Sequence, residues 1–326
     1  MAKIKKIGVL TSGGDAPGMN AAIRAVTRTA LYHRLEVIGI RHGYEGMIHG
    51  HFKELKAHSV SDIIQKGGTI LKTARSEAFR TVEGRKQAHE HLKSEGIDAV
   101  VVIGGDGTLA GARKFSEEFD IPFVGIPGTI DNDIYGTDYT IGYDTALNTV
   151  VEAIDKIRDT ASSHNRLFFI EVMGRDAGFI ALRSGIACGA EAILIPEKKN
   201  QVKNLKDFLE KGFKRRKSSN IIIVAEGDES GGAFSIAKAV QDDFKDYDVR
   251  VTVLGHIQRG GTPSAYDRVT ASYFGNAAVE ALLDDQQSVM VGMVNGEIAH
   301  CTFNKAIKMH KKVSMEKMDI AEILSI

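Results

Sequence analysis

The sequence predicts an α/β protein with two lobes, and two observations support this prediction. Short runs rich in Val and Ile recur along the chain, and each is followed by a Gly-rich turn and then by residues with helical spacing. These apolar runs are continuous rather than alternating, which is typical of parallel strands that helices cover on both faces. A chain of 326 residues is too long to fold around one small hydrophobic core, so two lobes are expected.

The predicted elements alternate as strands and helices, as α/β folds require. The predicted strands cover residues 7–10, 36–40, 99–103, 123–126, 167–172, 192–195, 221–225, 251–254 and 289–294. The clearest predicted helices cover residues 21–32, 109–119 and 145–162, and Asp144 is the predicted N-cap of the third. No low-complexity linker marks a boundary, so we expect the chain to cross between lobes more than once.

The composition is that of an ordinary globular protein with no net charge. Hydrophobic residues make up 43% of the chain, and its 42 basic residues equal its 42 acidic residues. This balance gives no indication of a nucleic-acid or membrane partner. Cys188 and Cys301 lack disulfide or metal-ligand spacing, and no segment is long enough for a signal peptide or a membrane span. We therefore expect a soluble, cytoplasmic protein that binds neither nucleic acid nor membranes.

The most informative segment is 127–133, which directly follows a predicted strand and carries Asp131 and Asp133. Alternate residues of an extended segment project to the same side, so both carboxylates are expected to face one cleft. Open α/β sheets bind ligands at this end of their strands. One carboxylate could act as a base while the other helps hold a metal, as phosphoryl transfer requires. A solvent-exposed turn is the alternative, because Asp, Asn, Gly and Pro all form turns.

Two Gly-rich segments, residues 11–20 and 104–108, each lie between a predicted strand and a predicted helix. Glycine lets backbone N–H groups approach an anion, and the start of a helix adds a favourable dipole. Neither segment matches a Walker loop or the dinucleotide fingerprint. Asp106 offers a carboxylate for Mg²⁺ bound to phosphate. The alternatives are a tight structural turn for the first segment and a helix N-cap role for Asp106.

Several arginines could supply positive charge to an anionic ligand. Arg175, Arg250 and Arg259 are each predicted at or just past the end of a strand, where a phosphate would bind. Guanidinium geometry suits phosphoryl groups, although a single arginine is more often a surface residue. No Gly-x-Ser-x-Gly frame or Cys–His pairing supports a hydrolase.

Six ordered motifs, at residues 11–20, 104–108, 127–133, 157–164, 173–175 and 254–261, together resemble those of bacterial ATP-dependent 6-phosphofructokinases. The resemblance covers nearly the whole chain. It implies a homotetramer of subunits with two α/β/α lobes, mainly parallel sheets and an active site in the cleft between the lobes. The larger ATP-binding lobe would comprise residues 1–141 plus about 257–307. The smaller fructose 6-phosphate-binding lobe would comprise about 142–256 plus 308–326.

The implied reaction is the glycolytic transfer of the ATP γ-phosphoryl group to the 1-hydroxyl of fructose 6-phosphate, giving fructose 1,6-bisphosphate and ADP. The resemblance makes Asp131 the base, with Thr129 and Asp133 beside it, and Arg175 the group that stabilises the transferring phosphoryl. Positions that match ATP contacts are Gly13, Arg75, Ser76, Gly105, Asp106, Gly107 and Thr108, with Asp106 at the Mg²⁺. Positions that match the sugar-phosphate pocket are Thr129, Ile130, Asp131, Arg166, Met173, Gly174, Arg175, Glu226, Arg250, His256, Ile257, Gln258 and Arg259. Of these, Arg166 and Arg250 match residues that reach into a neighbouring subunit's pocket.

The phosphoryl donor also follows from the resemblance. Pyrophosphate-dependent relatives typically carry Asp at the position of Gly107 and Lys at the position of Gly128. Absence of the Asp side chain leaves room for an α-phosphate, which favours ATP. The run Arg75-Ser76-Glu77-Ala78 departs from the family, which usually has an aromatic residue and Pro-Glu after the arginine. This departure is expected to affect nucleotide affinity and donor selectivity rather than the reaction.

Regulation is where the sequence departs most from the family, whose second anion site binds ADP as activator and phosphoenolpyruvate as inhibitor. The matching positions are Arg24, Arg28, Arg158, Gly189, Glu191, Arg215 and Lys217. This chain has Ala57 where the family usually has an arginine, and it has Lys217-Ser218-Ser219 where the family has Lys-Lys-His. Each lost charge-assisted hydrogen bond is worth ~1.5–3 kcal/mol, and a typical allosteric coupling is ~1–3 kcal/mol. We expect weak regulation by these effectors unless Lys56, His58 or Arg216 compensates.

Two alternatives remain open at this point. NAD and lipid kinases share the Gly-Asp-Gly frame but lack the Met-Gly-Arg and His-Ile-Gln-Arg segments of this chain. A non-catalytic sensor of sugar phosphates or nucleotides could use the same fold, because fold does not determine function. Such a sensor would be free to lose Asp106, Asp131 and Arg175, and this chain has all three.

Overall fold

The computed structural model describes residues 4–161, 166–199, 201–202, 205, 209, 219–229, 231–241 and 248–325. The chain divides into two units. Unit 1 comprises Met1–Thr145 and Arg259–Lys311, and unit 2 comprises Ala146–Gln258 and Lys312–Ile326. The chain therefore passes from one unit to the other three times, after residues 145, 258 and 311.

The elements are numbered here in chain order over the described residues. The strands are β1 (Lys6–Thr11), β2 (Glu36–Ile40), β3 (Phe52–Glu54), β4 (Ala99–Gly104), β5 (Phe123–Pro127), β6 (Arg166–Val172), β7 (Ala192–Leu194), β8 (Ser219–Ala225), β9 (Asp248–Val253), β10 (Val289–Val294) and β11 (Glu297–Thr302). The helices are α1 (Met19–Tyr32), α2 (Gly43–Ile48), α3 (Val82–Glu95), α4 (Asp106–Phe119), α5 (Tyr143–Ala161), α6 (Phe179–Ala187), α7 (Gly232–Gln241), α8 (Ala265–Leu283), α9 (Phe303–Lys308) and α10 (Met315–Leu324). Short 3₁₀ turns cover Ala57–Val60, Ala78–Arg80 and Gly255–Arg259. None of the helices described here is long and apolar enough to cross a membrane.

The described part of unit 1 contains a seven-stranded sheet with the order β11-β10-β5-β4-β1-β2-β3. The five inner strands are parallel, and β3 and β11 pair antiparallel at the two edges. Neither edge strand is among the strands predicted from the sequence. The turn between β10 and β11 consists of Asn295 and Gly296, which both have positive φ, at 53° and 84°. Asn-Gly is a strong hairpin signal, so this antiparallel edge had a local signature in the sequence.

Both faces of this sheet are buried. On one face, Val100 and Val102 of β4 pack in a core cluster with Phe115 of α4 and Phe303 of α9. On the other face, Val101 is also fully buried. Helices α1 and α8 pack closely together, and a Cβ on Gly275 of α8 would lie 2.5 Å from the Cβ of Ala25. Burial on both sides accounts for the continuous apolar runs in the sequence.

The described part of unit 2 contains a four-stranded parallel sheet with the order β7-β8-β6-β9. Phe169 of β6 and Ile222 of β8 form a core with Ile236 of α7. Phe168 and Ile170, whose side chains alternate with that of Phe169, are buried as well. Helices α6 and α10 contact each other and β7. The prediction of an α/β protein with mainly parallel sheets is confirmed.

One predicted helix boundary is wrong. Helix α5 begins at Tyr143, so Asp144 lies in its first turn and is not its N-cap. The segment before α5 is held by side chains from elsewhere in unit 1, which the local capping pattern could not indicate. The C-terminal part of the motif at 157–164 lies outside the described residues from position 162 onward.

Candidate active site

Three segments of unit 1 meet at the carboxyl edge of its sheet. Strands β1, β4 and β5 are adjacent and parallel, and the pairs Thr11–Ile103 and Gly104–Pro127 bring their last residues level. We call the segments that follow these strands the first loop (residues 12–18), the Gly-Asp-Gly turn (residues 104–108) and the aspartate loop (residues 128–133). They contain the motifs that the sequence analysis selected, and the sheet brings them together.

Backbone contacts join the three segments. The N–H of Gly128 donates to the carbonyl of Gly104 at 3.0 Å, and Thr108 Oγ1 donates to the carbonyl of Ser12 at 3.1 Å. Glycine is required at position 104, because a Cβ there would lie 2.4 Å from the Ser12 oxygen. The close approach of the segments therefore depends on a residue without a side chain.

The Gly-Asp-Gly turn has the geometry of an anion-binding site. Helix α4 begins at Asp106 with Gly105 as its N-cap, directly after β4, and the N–H of Thr108 donates to the carbonyl of Gly105 at 3.0 Å. Asp106 and Gly107 are exposed, and among the described residues no atom outside the adjoining backbone of α4 lies within 4 Å of a Cβ built on Gly107. Gly13 faces this turn from the first loop with φ +84°, and its built Cβ would lie 3.5 Å from Thr108 Oγ1. Phosphate oxygens are the usual ligands of such a helix start.

Arg75 and Ser76, which the sequence analysis assigned to ATP, precede the 3₁₀ turn at Ala78–Arg80. Arg75 is exposed, whereas Ser76 Oγ donates to Glu45 Oε2 at 2.5 Å and accepts from the N–H of Phe79 at 3.2 Å. The hydrogen bond from Ser76 is the main cause that lowers the pKa of Glu45, with His49 as a further donor. Ser76 therefore links α2 to this turn.

Tyr44 is a buried support that the sequence analysis missed. Its hydroxyl donates to the carbonyl of Thr108 at 2.5 Å, and its ring stacks on Phe79 with centroids 4.0 Å apart. Burial raises the pKa of this phenol, which stays protonated as a donor. No local pattern marks Tyr44, because its partner Thr108 is 64 residues away in sequence.

The aspartate loop is mostly buried and internally hydrogen-bonded. Thr129 is 8% exposed and Asp131 is 3% exposed. The N–H of Asp131 donates to Thr129 Oγ1 at 3.2 Å, while Thr140 Oγ1 donates to the carbonyl of Thr129 at 2.6 Å. Ile130 is fully buried, and Asp133 is half-buried.

The prediction that residues 131–133 form an extended segment is wrong. Asn132, between Asp131 and Asp133, has φ +54°, so strict alternation does not hold there. The Asn132 side chain accepts a hydrogen bond from the N–H of Thr140 at 3.0 Å, which supports this uncommon conformation.

Arg259 lies against the first loop. Its Nη1 contacts the carbonyl of Asp15 at 3.5 Å, and a Cβ on Gly14 would lie 2.8 Å from the same nitrogen. The structure thus brings a residue assigned to the sugar-phosphate pocket to a loop assigned to ATP.

In unit 2, the Met173–Arg175 segment follows β6, and Glu226 follows the neighbouring strand β8. Glu226 Oε1 accepts hydrogen bonds from the N–H groups of Gly174 at 3.2 Å and Arg175 at 2.8 Å. The buried Gln258 accepts from the N–H of Met173 at 3.1 Å. The structure thus brings these residues together in unit 2. His256 and Ile257 are exposed on the 3₁₀ turn that contains Gln258.

Arg250 does not lie at the end of a strand, so this prediction is wrong. Strand β9 begins at Asp248, which places Arg250 at its third residue, level with Phe168 of β6. Asp248 Oδ2 accepts from Arg250 Nη2 at 2.9 Å and from Arg166 Nε at 3.2 Å. The hydrogen bond from Arg250, followed by that from Arg166, lowers the pKa of Asp248. Arg166 and Arg250 thus form a cluster at the amino edge of this sheet, opposite the edge that holds Arg175.

The candidate effector residues form two groups. In unit 2, Arg158 Nη2 donates to the carbonyls of Cys188 at 2.7 Å and Gly189 at 3.0 Å, and Arg158 Nη1 lies 3.9 Å from Glu191. In unit 1, Arg24 and Arg28 lie one turn apart on α1. Burial and then the charge of Arg28 lower the pKa of Arg24. Arg215 and Lys217 lie outside the described residues.

An α/β fold with a Gly-rich helix start at the carboxyl edge of a parallel sheet is typical of proteins that bind phosphate groups. The chain matches the family described as Phosphofructokinase over residues 6–282. It is 58% identical over 326 residues to the ATP-dependent 6-phosphofructokinase 2 of Bacteroides thetaiotaomicron, covering 100% of each chain. It is 54% identical over 323 residues to the ATP-dependent 6-phosphofructokinase 1 of Thermus thermophilus, covering 99% of this chain and 100% of that one. The chain belongs to the phosphofructokinase family.

Solved structures give the same result. Phosphofructokinase from Saccharomyces cerevisiae matches with a TM-score of 0.89 at 39% identity, over 99% of this chain and 48% of the yeast chain. This chain therefore spans about half the length of the yeast chain. A pyrophosphate-dependent phosphofructokinase from Marinobacter aquaeolei matches with a TM-score of 0.85 at 24% identity, over 96% of this chain and 86% of that one. The second match shows a shared fold.

Proposed function

We propose that this protein is a glycolytic kinase that transfers the γ-phosphoryl group of ATP to the 1-hydroxyl of fructose 6-phosphate. The full-length identity of 58% to an ATP-dependent 6-phosphofructokinase carries the proposal. The products are fructose 1,6-bisphosphate and ADP, and the expected location is the cytoplasm. The site residues below are assigned by their match to the family motifs, and the geometry of each unit supports the assignments.

Asp131 acts as the base that accepts the proton of the attacking hydroxyl. It is 3% exposed, and Thr129 Oγ1 accepts a hydrogen bond from its N–H at 3.2 Å. A base that is held in place in this way is typically worth ~10²–10⁴-fold in rate. Thr129 and Asp133 flank Asp131, and the Arg175 guanidinium offsets negative charge on the transferring phosphoryl.

The Gly-Asp-Gly turn and Gly13 bind the ATP phosphates through backbone N–H groups at the start of α4. Asp106 is the proposed ligand of Mg²⁺. The described residues contain no group of three or more His, Cys, Asp or Glu side chains that could hold a metal. A single carboxylate such as that of Asp106 fits Mg²⁺, which proteins commonly bind through one or two carboxylates plus substrate phosphates. When bound, Mg²⁺ neutralises charge that develops on the phosphate oxygens.

ATP rather than pyrophosphate is the proposed donor. The space beside Gly107 is open to at least 4 Å from a built Cβ, which leaves room for a further phosphate. A carboxylate at this position would fill the space and repel the nucleotide.

A homotetramer is proposed from the match to the family, and the positions of two arginines support active sites that are shared between subunits. Arg166 begins β6 and Arg175 follows its end, and β6 has seven residues. At ~3.3 Å per residue, the two edges of the sheet are about 20 Å apart. One sugar phosphate cannot contact both edges of one sheet, so Arg166 and Arg250 would serve the pocket of a neighbouring subunit.

The cluster of Arg158, Gly189 and Glu191 in unit 2 and the Arg24–Arg28 pair in unit 1 are each proposed to bind the effectors ADP and phosphoenolpyruvate. Paired arginines and a carboxylate suit a nucleoside diphosphate with a bound cation. Regulation is proposed to be weak, because Ala57 stands where the family has an arginine.

A coupled assay of fructose 6-phosphate phosphorylation tests the proposal, with Mg-ATP and pyrophosphate as separate donors. We expect turnover with ATP alone, and at least a ~10²-fold lower kcat in Asp131→Asn, which removes the base but keeps its shape. If folded wild-type protein shows no turnover with either donor, the proposal is overturned, and a non-catalytic sensor of sugar phosphates or nucleotides is favoured instead.

A further inference from the structure

Asp267, on the first turn of α8, is a buried carboxylate outside the residues assigned so far. It is 1% exposed. Its Oδ1 accepts a hydrogen bond from the N–H of Gly142 at 2.9 Å, and its Oδ2 accepts from the N–H of Thr145 at 2.8 Å and from Thr145 Oγ1 at 2.5 Å. One carboxylate therefore ties α8 to a segment about 120 residues earlier in the chain.

The residues that precede Gly142 contact the start of the aspartate loop. The neighbouring residue Ile141 donates its N–H to the carbonyl of Pro127 at 2.9 Å and forms a bridge with Gly128. Thr140 Oγ1 donates to the carbonyl of Thr129 at 2.6 Å. Residues 140–142 thus form a brace along the start of the loop that carries Asp131.

The first loop touches the same brace. Gly142 has φ +99°, and a Cβ on it would lie 2.6 Å from the Cβ of Ala16. Gly18 has φ +107°, and its built Cβ would lie 2.6 Å from Ile141 Cγ2 and 3.6 Å from Asp267 Cβ. A shift of the brace would therefore disturb the first loop as well as the aspartate loop.

We propose that Asp267 is a positioning residue for phosphoryl transfer, which holds the 140–142 brace through Gly142 and so fixes Thr129 and Asp131. This inference rests on the proposed function. A carboxylate suits the task because it only accepts hydrogen bonds, and three donors face it. An amide in the same place would point an N–H group at one of these donors.

The hydrogen bonds between the same carboxylate and Thr145 provide the control. Thr145 lies in the first turn of α5, and its hydroxyl also accepts from the N–H of Ser264 at 2.9 Å. Thr145→Val removes both hydroxyl contacts but leaves the Gly142 bond. If Asp267 had a purely structural role, loss of its contact with Thr145 and loss of its contact with Gly142 would affect kcat and stability in the same way.

The experiment compares kcat, KM and the melting temperature of the wild type, Asp267→Asn and Thr145→Val in the coupled assay. Because small displacements of reacting groups cost up to ~10²-fold in rate, we expect kcat to fall ~10–100-fold in Asp267→Asn. Its KM for both substrates should stay near the wild-type value. Thr145→Val should keep kcat within about threefold despite a lower melting temperature.

An unchanged kcat in Asp267→Asn would overturn the inference, and so would parallel losses of kcat and stability in both variants. If Asp267→Asn does not fold, Thr140→Val decides, because it removes the bond to Thr129 without touching Asp267. An unchanged kcat in Thr140→Val would then contradict the proposed brace. Wild-type turnover in the same assay separates failure of this inference from failure of the proposed function.

Discussion

Glu226 holds the backbone of Arg175 in a left-handed conformation. Arg175 has φ +52°, and its N–H donates to Glu226 Oε1 at 2.8 Å. A Cβ on the adjacent Gly227 would lie 2.0 Å from the Arg175 carbonyl oxygen, so glycine is required there. A residue other than glycine rarely adopts such a φ, and it persists where the surroundings enforce it. Glu226 therefore has a structural task in addition to its proposed contact with the sugar phosphate.

Replacement of Glu226 with Gln tests this task. Gln keeps a carbonyl acceptor but loses the charge that strengthens both backbone hydrogen bonds. We expect kcat to fall about tenfold, because Arg175 is less well positioned for the transferring phosphoryl. Steady-state kinetics with varied fructose 6-phosphate measure the effect.

The exposed Glu297→Gln is the matched control for Glu226→Gln and should leave kcat unchanged. A higher KM with an unchanged kcat in Glu226→Gln would show that Glu226 contacts the substrate without positioning Arg175.

Gly107→Asp should lower turnover with ATP while the protein stays folded. The space beside Gly107 accepts a side chain, and Asp in the first turn of α4 interacts favourably with the helix dipole. The added charge would repel the ATP phosphates, so we expect kcat/KM for ATP to fall at least ~10-fold. Gly107→Asn introduces a neutral side chain of nearly the same size as Asp, so its kcat/KM for ATP should fall less than that of Gly107→Asp. Equal losses in the two variants would indicate a steric effect alone.

Asp267 should make the stability of the wild type depend on pH. Burial raises the pKa of Asp267 to about 6, and the charge of Asp144 adds to the shift. The folded protein therefore binds a proton at Asp267 more tightly than the unfolded chain does. The stabilisation from this proton is complete below the unfolded pKa of ~3.9 and is lost as pH rises through about 6, above which the carboxylate is ionised. The free energy of unfolding of the wild type should fall relative to that of Asp267→Asn between pH 4 and pH 7, by on the order of 3 kcal/mol.

Urea denaturation of both proteins at several pH values measures this difference. The exposed Asp284→Asn, at the other end of α8, is the control and should follow the wild-type curve. A constant gap between the wild type and Asp267→Asn over the whole pH range would show that Asp267 does not titrate in this window.

Ala57→Arg should strengthen inhibition by phosphoenolpyruvate. Ala57 is exposed at the start of a 3₁₀ turn, so a longer side chain can be accommodated. A recovered charge-assisted hydrogen bond is worth ~1.5–3 kcal/mol, which corresponds to roughly 10–100-fold tighter inhibition. Inhibitor titrations at subsaturating fructose 6-phosphate measure the change. Ala57→Gln supplies the size without the charge and should have little effect, and strong sigmoidal inhibition of the wild type itself would contradict weak regulation.

The class of fold and the location of the Gly-rich segments that are proposed to bind phosphate can be read from the sequence. The apolar runs at 36–40 and 289–294 coincide with β2 and β10, because a strand buried on both faces leaves a continuous apolar pattern. The Gly-rich segments follow strand ends because parallel strands place such turns at one edge. The Asn-Gly turn before β11 was also readable and was missed.

The contacts that hold these segments in place arise only when the chain has folded. Asp267 meets Gly142 across 125 residues of sequence, and Tyr44 meets Thr108 across 64. The left-handed Asn132 and the position of Arg250 inside β9 likewise depend on neighbours distant in sequence. Local patterns record periodicity, capping and turn chemistry, whereas a bond between a side chain and a remote backbone exists only after the sheets and helices have packed. For that reason the motifs were visible in the sequence and their supports were not.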